Sequence, residues 1–328
     1  LDVPEAAAAG EAFTVAVSVT NITNEPLHDV TVQLQPPYMV YLMDESTVHI
    51  PLLEPGAERE IQFRALALEG GRSELRADVT ADAFHIVAGR GIDVTGAGYY
   101  GGDTHSHTVH SDGVHSVADN SANMYDKRLL SWIWSTEHNK DSQITDTEQV
   151  TAQYGGRFLS ISGTEITTPY GHALALGFEG VPRHDIDENG EFSWQDSIDQ
   201  VTGQGGLFFI AHPFEQTYAF LNPYQWSGFT GVEVWNGTWH PLDQGVNERA
   251  FRYWDELNIR GDGKVFGVAG SDAHTRDKTG DPYSKGWMPS LTKDNVLQML
   301  GAGGFFGSNG PELRFSIDGV DMGGTLRV

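Results

Sequence analysis

The sequence predicts an α/β protein, in which a seven-stranded, distorted (β/α)7 barrel follows a small all-β sandwich. Two observations support this prediction. In residues 1–96, apolar residues alternate with polar ones in short segments separated by turns, which is typical of antiparallel sheets. After residue 96, short apolar segments alternate with helical patterns, which favours βα units. The 328 residues suffice for a barrel of about 200–250 residues and a sandwich of about 100.

The first segment predicts a sandwich domain over residues 1–96. Alternation is clearest in "FTVAVSV", where Phe13, Val15, Val17 and Val19 share one face of the strand. The segments "VTVQL", "IQFRALAL" and "LRADVTA" continue the period of two, and the turn-forming "TNEP", "PGAE" and "EGG" separate the strands. Several short strands at this spacing are typical of the immunoglobulin or fibronectin-III type of sandwich.

The second segment predicts a barrel domain over residues 97–308. Its seven candidate strands lie around residues 102–107, 130–137, 157–165, 206–212, 230–235, 264–271 and 303–308. Helical patterns separate several of them, at residues 116–128, 193–204, 247–260 and 292–300. Such a barrel would carry its chemistry on the loops at the carboxyl ends of the strands. Residues 309–328 return to alternation with a turn and predict a C-terminal β hairpin.

The composition excludes several functional classes. The 45 acidic and 20 basic side chains give a net charge of −25, which repels nucleic-acid phosphates and anionic lipid, so no nucleic-acid partner is expected. No apolar segment approaches the roughly 18 residues of a transmembrane helix. The chain has no cysteine, so any metal must be held by histidine and carboxylates. The sandwich and the missing cysteines favour a secreted or periplasmic location over a cytoplasmic one, and the oligomeric state stays open.

Nine side chains of the types that bind metals follow the predicted strands. They are His105, His107 and Asp112 in "GGDTHSHTVHSDG", His138 in "STEHN", Glu165 in "ISGTEITT", His172 in "GHALALG", His212 in "IAHPF", and Asp272 and His274 in "GSDAH". Each motif alone has an ordinary explanation, such as a turn or a helix cap. Because the carboxyl ends of barrel strands meet at one face, their common position predicts a polynuclear metal site.

Six motifs also resemble those of a known superfamily. "DTHSHTVHSDG", "TEHN", "GTEITT", "GHALALG", "AHP" and "GSDAH", in this order over residues 100–308, resemble the polymerase-and-histidinol-phosphatase (PHP) superfamily. The added β domain and the segment "GSNGPELRFSIDG" are similar to the CehA/McbA group, which includes the carbaryl hydrolases. The resemblance implies the PHP type of (β/α)7 barrel and three divalent ions, of Zn, Mn or Fe.

The resemblance further implies how the ligands are shared. It assigns His105, His107 and Asp272 to a first metal, Glu165 to a bridge between the first and second, His172 and His212 to the second, and Asp112, His138 and His274 to a third. One departure is Glu137, since the superfamily usually has Asp before this histidine. The change affects the expected orientation of His138.

Such a site would favour hydrolysis of a small anionic ester. Two ions about 3.5–4 Å apart can share a water and lower its pKa toward 7, which supplies the nucleophile that the cysteine-free chain otherwise lacks. Phosphomonoester or phosphodiester hydrolysis is the first hypothesis. Cleavage of a carboxyl or carbamate ester at the same site is the second, and a non-catalytic binding module stabilised by metals is the third.

Four residues are candidates for catalytic roles. Glu165 and Asp272 would fix the metals, and His110 would either support the ligands or act as an acid toward the leaving group. Arg276 could reach a substrate oxygen or could lie in a solvated loop. The chain lacks a G-x-S-x-G motif and a G-x-x-x-x-G-K-[ST] motif, so a serine hydrolase and a P-loop enzyme are unsupported.

Overall fold

The structure is a computed structural model that describes residues 1–81, 84–185, 193–215, 217, 219–220, 222–237, 245–261, 264–312, 314–322 and 324–326. The chain divides into two compact units, Leu1–Tyr99 and Tyr100–Val328. None of the helices in these ranges combines the length and the apolar character that crossing a membrane requires.

The first unit consists of two β-sheets. Its strands are β1 (Ala6–Ala8), β2 (Ala12–Thr20), β3 (Leu27–Gln35), β4 (Val40–Leu42), β5 (Thr47–Leu53), β6 (Glu58–Ala67), β7 (Gly71–Ala81) and β8 (Phe84–Thr95). One sheet has the strand order β1-β8-β7-β3-β5 and the other the order β2-β6-β4. Val15 and Val17 of β2, Val30 and Val32 of β3, and Phe63 of β6 meet in one buried core. The alternation in the sequence thus turns one face of each sheet toward the other.

The second unit is built around one nine-stranded sheet. Its strands are β9 (Gly98–Asp103, which begins before the boundary), β10 (Trp132–His138), β11 (Leu159–Thr168), β12 (Gly171–Leu176), β13 (Leu207–Ala211), β14 (Gly231–Asn236), β15 (Phe266–Gly270), β16 (Tyr283–Met288) and β17 (Phe305–Ser308). The helices are α1 (Val117–Asn123), α2 (Ile144–Gln153), α3 (Trp194–Gly203), α4 (Val246–Arg260) and α5 (Lys293–Ala302). A π-helical turn spans Met124–Arg128 and a 3-10 turn spans Arg276–Lys278. The strand order is β15-β14-β13-β12-β11-β10-β9-β16-β17.

The predicted (β/α)7 barrel is wrong. Among the described residues, strands account for 42% and helices for 20%, so the chain is mostly β. The sheet is also mixed, because β12 runs antiparallel to both β11 and β13, and β16 runs antiparallel to β17. Two strands therefore exceed the predicted seven: β12 and β16, neither of which lies in a candidate strand range of the sequence. All six residues of β12 are buried, so no alternation marks it as a strand.

The turn between β11 and β12 reverses the chain within three residues. Gly171 has a φ of 108°, a conformation that other residues rarely adopt, and a Cβ there would lie 2.5 Å from Cα of Phe220. The chain therefore folds straight back after Thr168, and Thr168 pairs with Gly171. This hairpin places His172 opposite Thr167, on the same face of the sheet as Glu165.

The nine-stranded sheet nearly closes on itself. The hydroxyl of Ser284 in β16 donates to the carbonyl of Ala269 in β15 (3.0 Å) and accepts from its N–H (3.1 Å). Beyond the strands, the N–H of His107 donates to the carbonyl of Ala273 (2.9 Å), and the N–H of Asp272 donates to the carbonyl of His105 (2.8 Å). Backbone hydrogen bonds thus link the segments after β9 and β15 at the end of the nearly closed sheet that carries these predicted ligands.

The C-terminal segment forms a short hairpin. Strands β18 (Ser316–Ile317) and β19 (Val320–Asp321) pair antiparallel. They lie within the predicted hairpin of residues 309–328, of which residues 313, 323, 327 and 328 lie outside the described residues.

We expect Gly102→Ala to destabilise the protein by about 3 kcal/mol, because overpacking a core forces side chains and backbone to shift. A Cβ at Gly102 would lie 2.1 Å from the carbonyl oxygen of Trp132, which is fully buried. Denaturant unfolding would measure the change. Gly203→Ala is the matched control, since Gly203 ends α3 with open space around it and Ala favours the helix. Equal stability of Gly102→Ala and the parent chain would contradict the described packing.

Candidate metal centre

The buried carboxylate of Glu165 is the centre of the cluster. It lies inside β11, three residues before the end of the strand, and is 0% exposed. Its Oε1 lies 2.9 Å from Nδ1 of His172 and 3.1 Å from Nε2 of His212. Its Oε2 lies 3.4 Å from Nε2 of His105, 3.3 Å from Nε2 of His107 and 2.9 Å from Nδ1 of His138. Each oxygen therefore faces its own group of imidazoles, as a bridging carboxylate would.

Asp272 supplies the second buried carboxylate. Its Oδ1 lies 3.4 Å from Nε2 of His105 and 3.1 Å from Nε2 of His107. The two Nε2 atoms lie 3.2 Å from each other. Two ring nitrogens that face each other across such a gap repel if both carry protons or if both present lone pairs. A cation between them would remove this conflict.

A second, more exposed group surrounds Asp112. Its Oδ1 lies 3.4 Å from Nε2 of His138, and its Oδ2 lies 3.2 Å from Nε2 of His274. The His107 ring stacks against both of these rings, at centroid distances of 4.4 Å (His138) and 4.5 Å (His274). The side chains of Asp112, His138 and His274 are 53%, 25% and 35% exposed. We refer to Asp112, His138 and His274 as the outer group and to the other six predicted ligands as the inner group.

The geometry of the cluster fits divalent metal ions. Three sets could each hold one ion, with ligand atoms within 4.8 Å of one another: His107, Asp112, His138 and His274; His105, His107 and Glu165; and His138, Glu165 and His172. Ligand atoms about 2.0–2.2 Å from one ion stand roughly 3.0–3.4 Å apart. The separations of 3.1–3.4 Å around Asp272 and His107 match this value. His138 belongs to two of these sets, whereas the family resemblance assigns it to the third metal alone.

Two predicted ligands have strained backbones. His212 has a φ of 25° and Asp272 a φ of 51°, both in the left-handed region that non-glycine residues rarely occupy. The N–H of His212 donates to Oε2 of Glu233 (3.1 Å), and that of Asp272 donates to the carbonyl of His105. Strain of this kind persists where surrounding bonds hold it and is concentrated at functional sites.

The charges of the inner group oppose one another strongly. Burial by itself disfavours the imidazolium form, but hydrogen bonds to Asp272 and Glu165 outweigh burial and raise the pKa of His107 to about 9. Burial also disfavours the imidazolium form of His105. The charges of Asp272, Glu233 and Glu165 outweigh burial and raise the pKa of His105 well above its usual value. Burial disfavours the carboxylate of Glu165, yet the charge on His105 and its other imidazole neighbours holds the pKa of Glu165 well below its usual range. The directions of these shifts favour ionised carboxylates and protonated imidazoles in the metal-free chain.

The structure also shows supporting residues that the sequence analysis missed. Strand β14, to which no ligand was assigned, brings the fully buried Glu233 and Asn236 behind the inner group. Asp103 accepts hydrogen bonds from Ser271 and from the N–H of Gly280, and burial raises its pKa to about 6. The sequence carries one signal for Glu233, which is the single carboxylate within the strand segment "GVEVWN". Because charged side chains are rarely buried without a partner, such a position indicates a bonded carboxylate.

Glu137 holds the loop that leads to Asp112. Its carboxylate accepts hydrogen bonds from the N–H (3.2 Å) and the hydroxyl (2.7 Å) of Thr108, and from the hydroxyl of Ser111. The sequence analysis expected this residue to influence His138. Its bonds instead orient the loop between His107 and Asp112.

His110 and Arg276 have partners outside the ligand cluster. Nε2 of His110 lies 3.0 Å from Asp146, and its Nδ1 lies 3.0 Å from the hydroxyl of Ser142. The guanidinium of Arg276 lies 3.7 Å from Asp119 and is 56% exposed. The catalytic roles suggested for both residues stay predictions.

We expect the metal-free protein to lose thermal stability as the pH rises from about 6.5 to 9. The pKa of His107 in the folded chain is about 9, against 6.5 for a free side chain, so its proton stabilises the fold fully below pH 6.5 and is lost toward pH 9. Glu165 and Asp272 have lowered pKa values, so their contribution is lost at acidic pH instead. Calorimetry of chelator-treated protein at pH 6, 7.5 and 9 would test this. A melting temperature that rises over this range would contradict it.

No family model matches the sequence, and no curated protein matches it significantly. Among solved structures, α-2-macroglobulin from Salmonella, reacted with methylamine, has a TM-score of 0.27 and 20% identity, over 30% of this chain and 7% of that one. The chain thus spans a small part of that protein.

Two other solved structures match most of their own length. PsfC from Pseudomonas syringae has a TM-score of 0.43 and 16% identity, over 61% of this chain and 88% of that one. A protein from Bifidobacterium adolescentis, described as a candidate metal-dependent phosphoesterase, has a TM-score of 0.44 and 16% identity, over 60% of this chain and 94% of that one. Scores of this size do not establish a shared fold or chemistry, so the PHP resemblance stays a prediction.

Proposed function

We propose that this chain is a metal-dependent hydrolase that cleaves phosphoester bonds with the help of three divalent cations. The observation that carries the proposal is the arrangement around Glu165, whose two oxygens lie 2.9–3.4 Å from five imidazoles. A bridging carboxylate with separate groups of nitrogen ligands is the arrangement that two-metal hydrolases use. Nitrogen and oxygen ligands suit Zn, Mn or Fe.

The charge balance favours an anionic substrate. Three divalent ions would bring six positive charges, against three ligand carboxylates (Glu165, Asp272 and Asp112) and the two buried carboxylates of Glu233 and Glu137 behind them. The resulting positive site would lie in a chain whose net charge is −25. An anion would therefore be attracted to the loaded centre and repelled by most of the remaining surface. A phosphate ester meets this requirement at neutral pH, and a neutral carbamate does not.

The inner and outer residues have different roles at the proposed centre. Bound divalent ions supply a water of lowered pKa and polarise the oxygens of the substrate. Glu165 and Asp272 hold the imidazoles of His105 and His107 in fixed positions, and burial excludes bulk water from this inner group. The exposed outer group gives a substrate oxygen access to the centre. We propose that the scissile phosphoryl group binds on this side.

Activity assays with matched variants test the proposal. The purified chain, treated with a chelator and reloaded with Mn²⁺ or Zn²⁺, is expected to hydrolyse aryl phosphomonoesters or diesters. His107→Ala and Asp272→Asn are expected to lose more than about 100-fold in kcat/KM, because loss of a ligand should exceed the 10–100-fold cost of losing an outer hydrogen-bond partner. His85→Ala is the matched control, since this exposed histidine lies in the first unit.

The outcomes separate the hypotheses. Cleavage of aryl esters or carbamates without phosphoester cleavage would overturn the proposed substrate class and keep the metal centre. Stoichiometric metal without any turnover would favour a binding module. No bound metal by elemental analysis would overturn the metal centre itself.

We also expect the outer ion to exchange more readily than the inner ions. Its ligands Asp112, His138 and His274 are a quarter to a half exposed, whereas His105, His107 and Glu165 are 0% exposed. Graded chelation followed by elemental analysis should remove one equivalent first. His274→Ala should lower the metal content by the one rapidly exchanging equivalent. His212→Ala should instead lower the content of slowly exchanging ions. Simultaneous loss of all ions from both variants would contradict this order.

A further inference from the structure

We infer that Glu233 is a positioning residue that fixes the orientation of His105 and the backbone of His212 toward the metal centre, with Asn236 as its partner. The inference rests on the proposed metal centre and adds to it a strand, β14, that supplies none of the nine predicted ligands.

The first contact determines which nitrogen of His105 faces the cluster. Oε1 of Glu233 lies 2.9 Å from Nδ1 of His105, and both side chains are fully buried. Nδ1 must carry a proton to donate this bond. Nε2 of the same ring, on the opposite side, faces Glu165 and Asp272 at 3.4 Å each. Glu233 thus leaves Nε2 available as the ligand atom.

The second oxygen of Glu233 connects two further ligands. Oε2 accepts a hydrogen bond from the N–H of His212 (3.1 Å), the residue with the strained φ of 25°. It also accepts one from Nδ2 of Asn236 (2.9 Å), and the same Nδ2 lies 3.2 Å from Oδ2 of Asp272. One carboxylate and one amide therefore link three ligands that come from three different segments of the chain.

The surrounding backbone is shaped to admit this carboxylate. A Cβ at Gly270 would lie 2.6 Å from Oε1 of Glu233 and 2.8 Å from Cβ of His105. The N–H of Asn236 donates to Oδ1 of Asn247 (3.1 Å), and the side-chain amide of Asn247 donates to the carbonyl of Asn236 (3.0 Å). The position of Asn236 is thus fixed from the side of α4 as well.

The free-energy cost of burying the carboxylate of Glu233 indicates a role beyond packing. Burying a carboxylate costs several kcal/mol unless hydrogen bonds and charges compensate for it, and apolar residues would pack a strand more cheaply. A carboxylate that accepts the second N–H of a ligating imidazole fixes its tautomer and makes the ligand nitrogen more basic. Loss of such a partner typically weakens metal binding by about 10–100-fold.

Titration of the chelator-treated chain with Co²⁺ tests this role, because Co²⁺ can occupy such sites and its absorption spectrum reports on its ligands. Glu233→Gln keeps the size of the side chain and removes its charge. We expect it to weaken Co²⁺ binding by about 10–100-fold, to alter the spectrum and to reduce the rise in Tm that Co²⁺ produces. Asn236→Ala, which retains Glu233, is expected to weaken binding by about tenfold.

The matched control is Asp93→Asn. Asp93 is a buried carboxylate of the first unit, 2.9 Å from the guanidinium of Arg72, so its replacement also removes a buried charge. It should lower the Tm of the metal-free protein and leave Co²⁺ affinity unchanged. A merely structural role of Glu233 would give the same result as this control.

Each outcome decides a separate point. If the parent chain binds Co²⁺ and both variants bind it equally well with unchanged spectra, the inference is overturned and the metal centre stands. If the parent chain binds no Co²⁺, the metal centre proposed above is overturned, and the inference with it. If Glu233→Gln does not fold, Asn236→Ala decides, and unchanged binding by that variant overturns the inference.

Discussion

Buried charged and polar groups that lie close to 3 Å from one another are the constraint on which the second unit depends. Glu165 and Asp272 face imidazoles on several sides, and His105 and His107 face each other at 3.2 Å. In the metal-free chain protons must balance these charges, and in a loaded chain cations would replace them. Either way, the backbone must hold the groups together against a large desolvation cost.

The mixed sheet is the part of the backbone that holds these buried groups together. The β11–β12 hairpin brings Glu165 and His172 onto adjacent strands, and the backbone bond from His107 to Ala273 links two further ligand-bearing segments. Regular βα units would separate successive strands by a helix and give each strand one loop. Here the ligands come from strand interiors, a hairpin and two paired segments, which leaves less freedom for any of them to move away.

Support extends outward from the ligands in a consistent pattern. Behind the inner group, Glu233 and Asn236 bond to ligand rings, backbone and carboxylate, while Glu137 holds the loop that carries Asp112. The inner group is buried and braced by these bonds, whereas the side chains of the outer group are a quarter to a half exposed. The candidate centre therefore has a buried side and a side that solvent can reach.

The sequence by itself determined the identity of the candidate ligands, because histidines and carboxylates that follow apolar strands are visible in local patterns. It also predicted alternating strands in residues 1–96, since one buried face produces a period of two. Only the tertiary structure decided the sheet. The residues of β12 are buried on both faces, so no period separates a strand from a return segment, and its pairing depends on a turn at Gly171. Likewise, Glu233 is one carboxylate among many until β14 lies behind His105, because hydrogen bonds between residues 128 positions apart leave no local trace.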